Sequence, residues 1–349
     1  MKLDDLINHT SEWLKGSGPN SDIVISSRIR LARNLEKFAF PHWANKKQGE
    51  EILEKIKEAI LKIDYLKKTT LFKSADLDSI DRQFLVERHL MSYEHAQKSN
   101  HRAVVVDEEE IISIMINEED HIRCQVMQSG LNLFEAWNII NKIDDLLAEQ
   151  LPIAFLDDLG YLTACPTNTG TGMRGSVMLH LPALVITRQM ERVLAAIAKL
   201  SFTTRGLYGE GTQATGNFFQ ISNQVSLGHS EEEVIENING LIKQIIEQEN
   251  QARELMRSRN KAVLEDRIHR SFGILKNAHI ITSQETSELL SMVRLGSDLG
   301  MLKDIDRRSI NELFIITQPA HLQKIENKKL SSQERDVKRA EIIRSRLKI

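Results

Sequence analysis

Residues 102–127 read RAVVVDEEEIISIMINEEDHIRCQVM. Three β-like runs follow one another within it: Arg102–Val106, Ile111–Ile116 and His121–Met127. The connections between them are too short for a crossover, so the runs pair antiparallel. Working outward, Asp22–Arg30 (DIVISSRIR) alternates apolar and polar residues and reads as a further strand. Ser176–Leu181 and Asn217–Leu227 read as strands as well. Between these lie helical patterns. Glu50–Leu66 places Ile52, Ile56, Ile60 and Ile63 at the spacing of an amphipathic helix, and Leu131–Leu147 is helical by period. Helices together with an antiparallel sheet predict an α+β fold.

The character of the chain changes near residue 229. Ser230 with Glu233 forms a capping-box pair that opens a long helix, with apolar positions at Val234, Ile238, Leu241, Ile242 and Ile245. Thr282 with Glu285 offers a second helix start, and the tail Lys324–Ile349 is helical in composition and basic. The expected organisation is a catalytic unit over 1–229 and a helical C-terminal region over 230–349.

Bulk properties narrow the function classes. A net charge of −3 over 349 residues predicts no gross attraction to nucleic acid or membrane. The opening residues are polar and mixed in charge, unlike a signal peptide, and no apolar run approaches the ~20 residues of a membrane span. The cytoplasm is the expected compartment, with Cys124 and Cys165 as free thiols.

Four segments collect groups suited to anions or proton transfer. In Ser27-Arg28-Ile29-Arg30, followed by Arg33, a strand directs Arg28 and Arg30 to one face, where two guanidinium groups repel unless an anion lies between them. Asn117-Glu118-Glu119-Asp120-His121-Ile122-Arg123 packs three acids into a turn, a source of a general base if cations stand nearby. Cys165-Pro166-Thr167-Asn168-Thr169-Gly170-Thr171-Gly172-Met173-Arg174 is a loop whose backbone N–H groups can face an anion, though it lacks the Walker ending. Its cysteine is set beside a proline and near hydroxyls, a setting that lets a thiol pKa fall. Arg205-Gly206-Leu207-Tyr208-Gly209-Glu210-Gly211-Thr212 has the glycine content of a loop that closes over a ligand. Each alone also reads as an ordinary surface strand or turn. Together they supply the charge neutralisation, positioning and base that phosphoryl transfer requires.

In these segments the chain resembles the guanidino (phosphagen) kinases, over roughly residues 22–230. The resemblance implies an antiparallel sheet flanked by helices, and transfer of the γ-phosphate of ATP, carried with Mg²⁺, to a guanidinium. It implies nucleotide contacts from Ser27, Arg28, Arg30, Arg123, Arg174 and Arg205, and from His89 in Glu87-Arg88-His89. It implies Glu119 as the catalytic base with Glu118 beside it, Glu210 as a second guanidinium contact and Cys165 as the active-site cysteine. Only 26 residues precede Ser27, where phosphagen kinases carry a helical domain, and a helical region follows the catalytic part instead. That layout is similar to the bacterial protein arginine kinases. Arg335-Asp336-Val337-Lys338-Arg339-Ala340 resembles the phosphoarginine-receptor motif of that group, with Arg335, Asp336, Arg339 and Ala340 as its contacts; two arginines four apart on a helix could clamp a phosphate.

The resulting expectation is an ATP-dependent protein arginine kinase that marks proteins for regulated degradation under stress. The resemblance associates it with an activator protein, a heat-shock repressor and a Clp-type unfoldase, and leaves a homodimer open. The alternatives are a kinase of free arginine or another small guanidino compound, and a non-catalytic phosphoarginine-binding adaptor.

Overall fold

A computed structural model describes residues 1–206 and 215–347. In chain order its elements are β1 (Val24–Arg33), α1 (Lys46–Lys62), β2 (Thr69–Lys73), α2 (Ser79–Glu87), α3 (Tyr93–Ala96), β3 (Ala103–Asp107), β4 (Ile112–Ile116), β5 (Ile122–Ser129) and α4 (Leu133–Ala148). A small hairpin, β6 (Phe155–Leu156) and β7 (Gly160–Tyr161), precedes β8 (Met173–His180), α5 (Pro182–Ile186), α6 (Met190–Lys199), β9 (Phe202–Arg205) and β10 (Phe218–Asn223). Six helices follow: α7 (Glu231–Arg259), α8 (Lys261–Asn277), α9 (Ser283–Asp298), α10 (Arg307–Ile316), α11 (Pro319–Ile325) and α12 (Ser332–Arg346).

Eight strands form one sheet in the order β2-β3-β4-β5-β1-β8-β10-β9, and every neighbouring pair is antiparallel. The expected meander of residues 102–127 is β3, β4 and β5. The strand expected at Asp22–Arg30 starts two residues later and continues to Arg33, because β8 pairs with it over Val24–Leu31 and β5 over Ser26–Arg33. β2 and β9 are the edge strands, and both are half-buried along their whole length. That is why TTLFK and FTTR carry little of the alternation that betrays a strand.

The sheet has two dressed faces. On one, α4 buries Leu133, Ala136, Ile140, Ile143 and Leu147, and α7 buries Val234, Ile238, Leu241 and Ile242 in the main core. Gly175 on β8 permits the close approach of α7: a Cβ there would stand 2.6 Å from Ile238 Cδ1. On the other face, α2, the N-terminal turn and Ala320 of α11 cover β3 and β4 through Phe84, Leu85, Leu90, Val104, Val106 and Met115. The middle of that second face is left to arginines.

Buried guanidinium groups fasten the C-terminal helices to the residues just before β1: Arg253 of α7 donates to the Asp22 carbonyl at 3.2 Å, and Arg294 makes a larger set of contacts. Arg294 of α9 donates to the carbonyls of Ser21 at 2.7 Å and Asp22 at 3.1 Å and to Asn311 Oδ1 at 3.1 Å. It also pairs with Asp298 at 3.3 Å and meets His180 Nδ1 at 2.8 Å. Among the described residues no helix is long and apolar enough to cross a membrane.

Candidate active site

Strand register places the candidate arginines on one face. Arg28 and Arg30 are two apart on β1, and Arg30 lies directly opposite Arg174 of β8. Arg30 also faces Gln125 of β5, so Arg123, two residues away, projects to the same side. Arg205 follows Thr203, which faces Ser222, itself in line with Ser176 opposite Arg28. Cross-strand like charges destabilise a sheet. Small hydroxyls accept part of that load: Arg28 Nε donates to Ser176 Oγ at 3.4 Å, and Arg174 donates to Ser222 Oγ at 3.3 Å and Thr203 Oγ1 at 3.2 Å.

The remaining strain is electrostatic. Burial, then the neighbouring Arg174, Arg123 and Arg205, pull the Arg28 pKa down to about 10. Burial and the same cations, with Arg28 added, hold Arg30 well below its ordinary value. A guanidinium does not deprotonate in proteins, so this pull is repulsion waiting for an anion. Arg30 Nε is buried without a hydrogen-bond partner. An orphaned donor in a ring of cations fits the phosphate oxygens of a nucleotide.

Ser27 departs from expectation. Strand alternation turns it away from the arginines, and its hydroxyl donates to the Gly130 carbonyl at 2.8 Å and accepts from Asn132 N–H at 2.9 Å. It braces the start of α4. Arg33 likewise leaves the cluster, held by Asp144 at 2.7 Å beneath the Tyr161 ring.

The acidic segment is the turn between β4 and β5, closed by Asn117 N–H to the His121 carbonyl at 3.0 Å. Its three acids do not repel freely, because each has a different environment. Glu118 is buried, with one oxygen 2.6 Å from Arg123 Nη1 and the other accepting from Ser92 Oγ at 2.7 Å. Asp120 is fully buried and accepts from Asn34 Nδ2 at 2.6 Å and Ala164 N–H at 2.7 Å. Glu119 is the least buried of the three and touches Arg123 at 3.3 Å. Partial burial, with Asp120 and Glu118 adding to it against the pull of Arg123, raises its pKa above the ordinary value. A half-buried carboxylate with a raised pKa has the chemistry to accept a proton.

Asp120 and Asn34 were not singled out by sequence, yet they pin the acidic turn to the cysteine loop through Ala164, one residue before Cys165. A lone Asp in an acidic run carries no signal of this; only its partners reveal it. In the cysteine loop, Cys165 Sγ lies 3.0 Å from Thr167 Oγ1. Gly170 adopts φ +108°, and a Cβ there would stand 2.8 Å from Leu227 Cα, so the loop's tight seat on the 226–227 segment depends on glycine.

His89 sits at the edge of the arginine face. Its ring is edge-on to Trp13 at 5.2 Å, and together with Trp13, Arg28, Met127, Ser176 and Gln220 it lines a small pocket. Burial, then Arg28, pulls its pKa down to about 3, so it stays neutral. Gln125, also missed by sequence, holds the His89 carbonyl at 2.6 Å. Glu210 lies outside the described residues.

Residues 51–252 match the family model for the ATP:guanido phosphotransferase C-terminal catalytic domain. Residues 261–349 match that for the protein-arginine kinase McsB C-terminal domain. A protein-arginine kinase of Halothermothrix orenii is 49% identical over 348 residues, covering 99% of both chains. One from Symbiobacterium thermophilum is 48% identical over 351 residues, again covering 99% of each. The chain belongs to the protein-arginine kinase family. Among solved structures, a lombricine kinase aligns with a TM-score of 0.59 at 26% identity, covering 71% of this chain and 76% of that one. An antiparallel sheet flanked by helices is therefore shared with guanidino kinases, as expected.

The tail motif lies in the family's C-terminal part, on α12, and the structure divides its two arginines. Arg339 is buried and donates to the carbonyls of Thr317 and Ile281, each at 2.9 Å, and to Asp336. It is a clasp that holds α12 to the neighbouring helices. Ala340 is buried beside it. Arg335 and Asp336 are half-exposed, and Arg335 donates to the Leu330 carbonyl at 2.8 Å. Of the two arginines expected to clamp a phosphate, Arg335 stands nearer the surface, while Arg339, one turn on, donates to backbone carbonyls of the fold.

Proposed function

We propose that this chain transfers the γ-phosphate of ATP to arginine side chains of proteins. The observation that supports this best is the position of Arg123. It belongs to the cation face and also grips both Glu118 and Glu119. A terminal phosphate held by the arginines and an acceptor guanidinium held by the acids would meet at that residue.

In this reading Arg28, Arg30, Arg174 and Arg205 neutralise and align the phosphates, and Arg123 bridges the phosphate in transfer. Arginine has a pKa above 12, so the acceptor loses its proton only as the N–P bond forms. Glu119 takes that proton while the β–γ oxygen leaves with the nucleoside diphosphate. Glu118, neutralised by Arg123, sets the guanidinium of Arg123 in plane. By family resemblance Glu210 is a second contact of the acceptor guanidinium, and Cys165 tunes its electron distribution. Mg²⁺ carried with the nucleotide would add charge neutralisation to that of the arginines. The catalytic unit spans 1–229, and the helices from 230 carry a phosphoarginine contact built on Arg335 and Asp336, framed by Arg339 and Ala340. The wider reading rests on family resemblance alone: proteins marked for regulated degradation under stress in the cytoplasm, with an activator protein, a heat-shock repressor and a Clp-type unfoldase as partners.

The test is incubation of the purified chain with ATP, Mg²⁺ and an unfolded protein, followed by detection of acid-labile phosphate on arginine. Glu119→Gln should lower the rate by roughly 10²–10⁴-fold with ATP binding intact. Phosphate appearing only on added free arginine would favour the small-guanidine reading instead.

A further inference from the structure

An exposed aromatic group stands beside the acidic turn and takes no part in the chemistry above. Trp43 is 76% exposed. Its ring lies 4.8 Å from that of His42, which stacks on Phe40 at 6.1 Å with the planes 4° apart. A large indole left in water costs free energy and signals a surface meant to be covered.

The group is anchored to the catalytic turn. His121, two residues after Glu119, has its Nε2 2.9 Å from the Ala39 carbonyl, one residue before Phe40, and its Nδ1 accepts from Leu35 N–H at 3.0 Å. A second exposed segment shares the same anchor. Glu36 N–H bonds to the Pro152 carbonyl at 2.9 Å and Ala154 N–H to the Asn34 carbonyl at 2.8 Å, so 34–36 and 152–154 pair antiparallel. The two chains leave that pairing in opposite directions, one to Phe40–Trp43 and the other to the β6–β7 hairpin. There Phe155, Leu156 and Leu159 are exposed, with the exposed acids Asp157 and Asp158 at the turn.

We infer that the Phe40–His42–Trp43 platform, with the Phe155–Leu159 hairpin, docks the polypeptide on either side of the arginine being phosphorylated. This rests on the protein-acceptor reading given above and names what selects the acceptor. Two observations identify the occupant. The platform is tied to the acidic turn through the Ala39–His121 bond, so a chain whose arginine enters that turn has its neighbouring residues near these rings. Apolar side chains with acids between them complement an apolar segment that carries a cation. A free amino acid brings no flanking side chains to these rings and gains little from them. Trp43 therefore separates peptide from small acceptors without touching the reacting atoms.

The experiment compares three acceptors with wild type and Trp43→Ala: a short peptide with one arginine between leucines, the same peptide with glycines in their place, and N-acetylarginine amide. Trp43 is exposed, so its removal should leave folding intact. For the leucine peptide, Trp43→Ala should raise KM by about tenfold with kcat little changed, the loss of one aromatic anchor. Kinetics with N-acetylarginine amide should be unchanged, and the wild-type preference for the leucine peptide over the glycine peptide should vanish. Equal KM values for the leucine peptide in both proteins would overturn the inference. So would a parallel loss with all three acceptors, which would mean that Trp43 merely shapes the catalytic turn. A shift in oligomeric state on size-exclusion chromatography, with kinetics unchanged, would assign the platform to contact between copies of this chain. Failure of wild type to use either peptide, alongside use of the small amide, would sink the protein-acceptor reading itself.

Discussion

Arg123 Nη1 lies 2.6 Å from a carboxylate oxygen of Glu118, while its Nη2 lies 3.3 Å from Glu119. One guanidinium thus ties the two adjacent acids to the cation face and divides them into a buried, paired acid and a partly exposed one.

This division sets a pH dependence. Glu119 must be ionised to accept a proton, and its pKa stands above the ordinary 4.5 because of burial and the charges of Asp120 and Glu118. Activity should therefore fail on the acid side at a pH higher than an ordinary glutamate would give. Glu118→Gln removes one of the charges that raise this pKa and leaves Arg123 to Glu119 alone. The acid limb of kcat should then move to lower pH, whatever happens to the plateau. A limb that stays in place in the variant would mean that another group is being titrated.

The crowding of Arg30 predicts an unusual stability effect. Its Nε is buried without a partner, and it faces Arg174 across the sheet. Arg30→Ala should leave the nucleotide-free protein at least as stable as wild type, because a repelling charge is gone. The rise in Tm on adding ATP should shrink sharply, since that rise follows RT ln(1 + [L]/Kd). Thermal melts with and without ATP read both effects. An unchanged ATP shift would remove Arg30 from the nucleotide site.

Arg294 is predicted to hold the catalytic sheet and C-terminal helices together. It and Asp298 are both fully buried. Arg294→Ala would leave Asp298 to Arg307 alone, 2.7 Å away, and take a donor from the Ser21 and Asp22 carbonyls, a loss of about 1–3 kcal/mol for a buried group left unsatisfied. Urea unfolding should show an earlier midpoint. A midpoint within error of wild type would mean that the two parts do not depend on this link.

The tail arginines should separate in experiment as they do in structure. Arg335→Ala should weaken binding of free phosphoarginine in calorimetry while leaving Tm close to wild type. Arg339→Ala should lower Tm, because the Thr317 and Ile281 carbonyls lose a buried donor at about 1–3 kcal/mol. Equal stability losses in the two variants would return Arg335 to a structural role, and unchanged phosphoarginine binding in Arg335→Ala would place the receptor elsewhere.

Much of the fold was legible in local pattern. The meander of residues 102–127, the α4 period and the caps at Ser230 and Thr282 need only propensity and spacing, and each stands where it was expected. The two edge strands β2 and β9 were not legible, because half-exposed edges impose no alternation.

For the site, the sequence by itself determined the chemical inventory: arginines two apart on β1, three acids in a turn, a cysteine loop and a basic tail. Period-2 alternation even determined that Arg28 and Arg30 share a face. Tertiary structure alone decided which members are available. Pairing of β1 with β5 and β8 brought Arg123 and Arg174 to that face and turned Ser27 away. Burial gave Glu118 and Asp120 close partners and left Glu119 half-exposed, with a longer contact to Arg123. The fold also spent Arg339 on backbone carbonyls while leaving Arg335 nearer the surface. The reason is general: residue type sets which charges exist, but desolvation and the nearest partner set what each can do, and both depend on chain segments far apart in sequence.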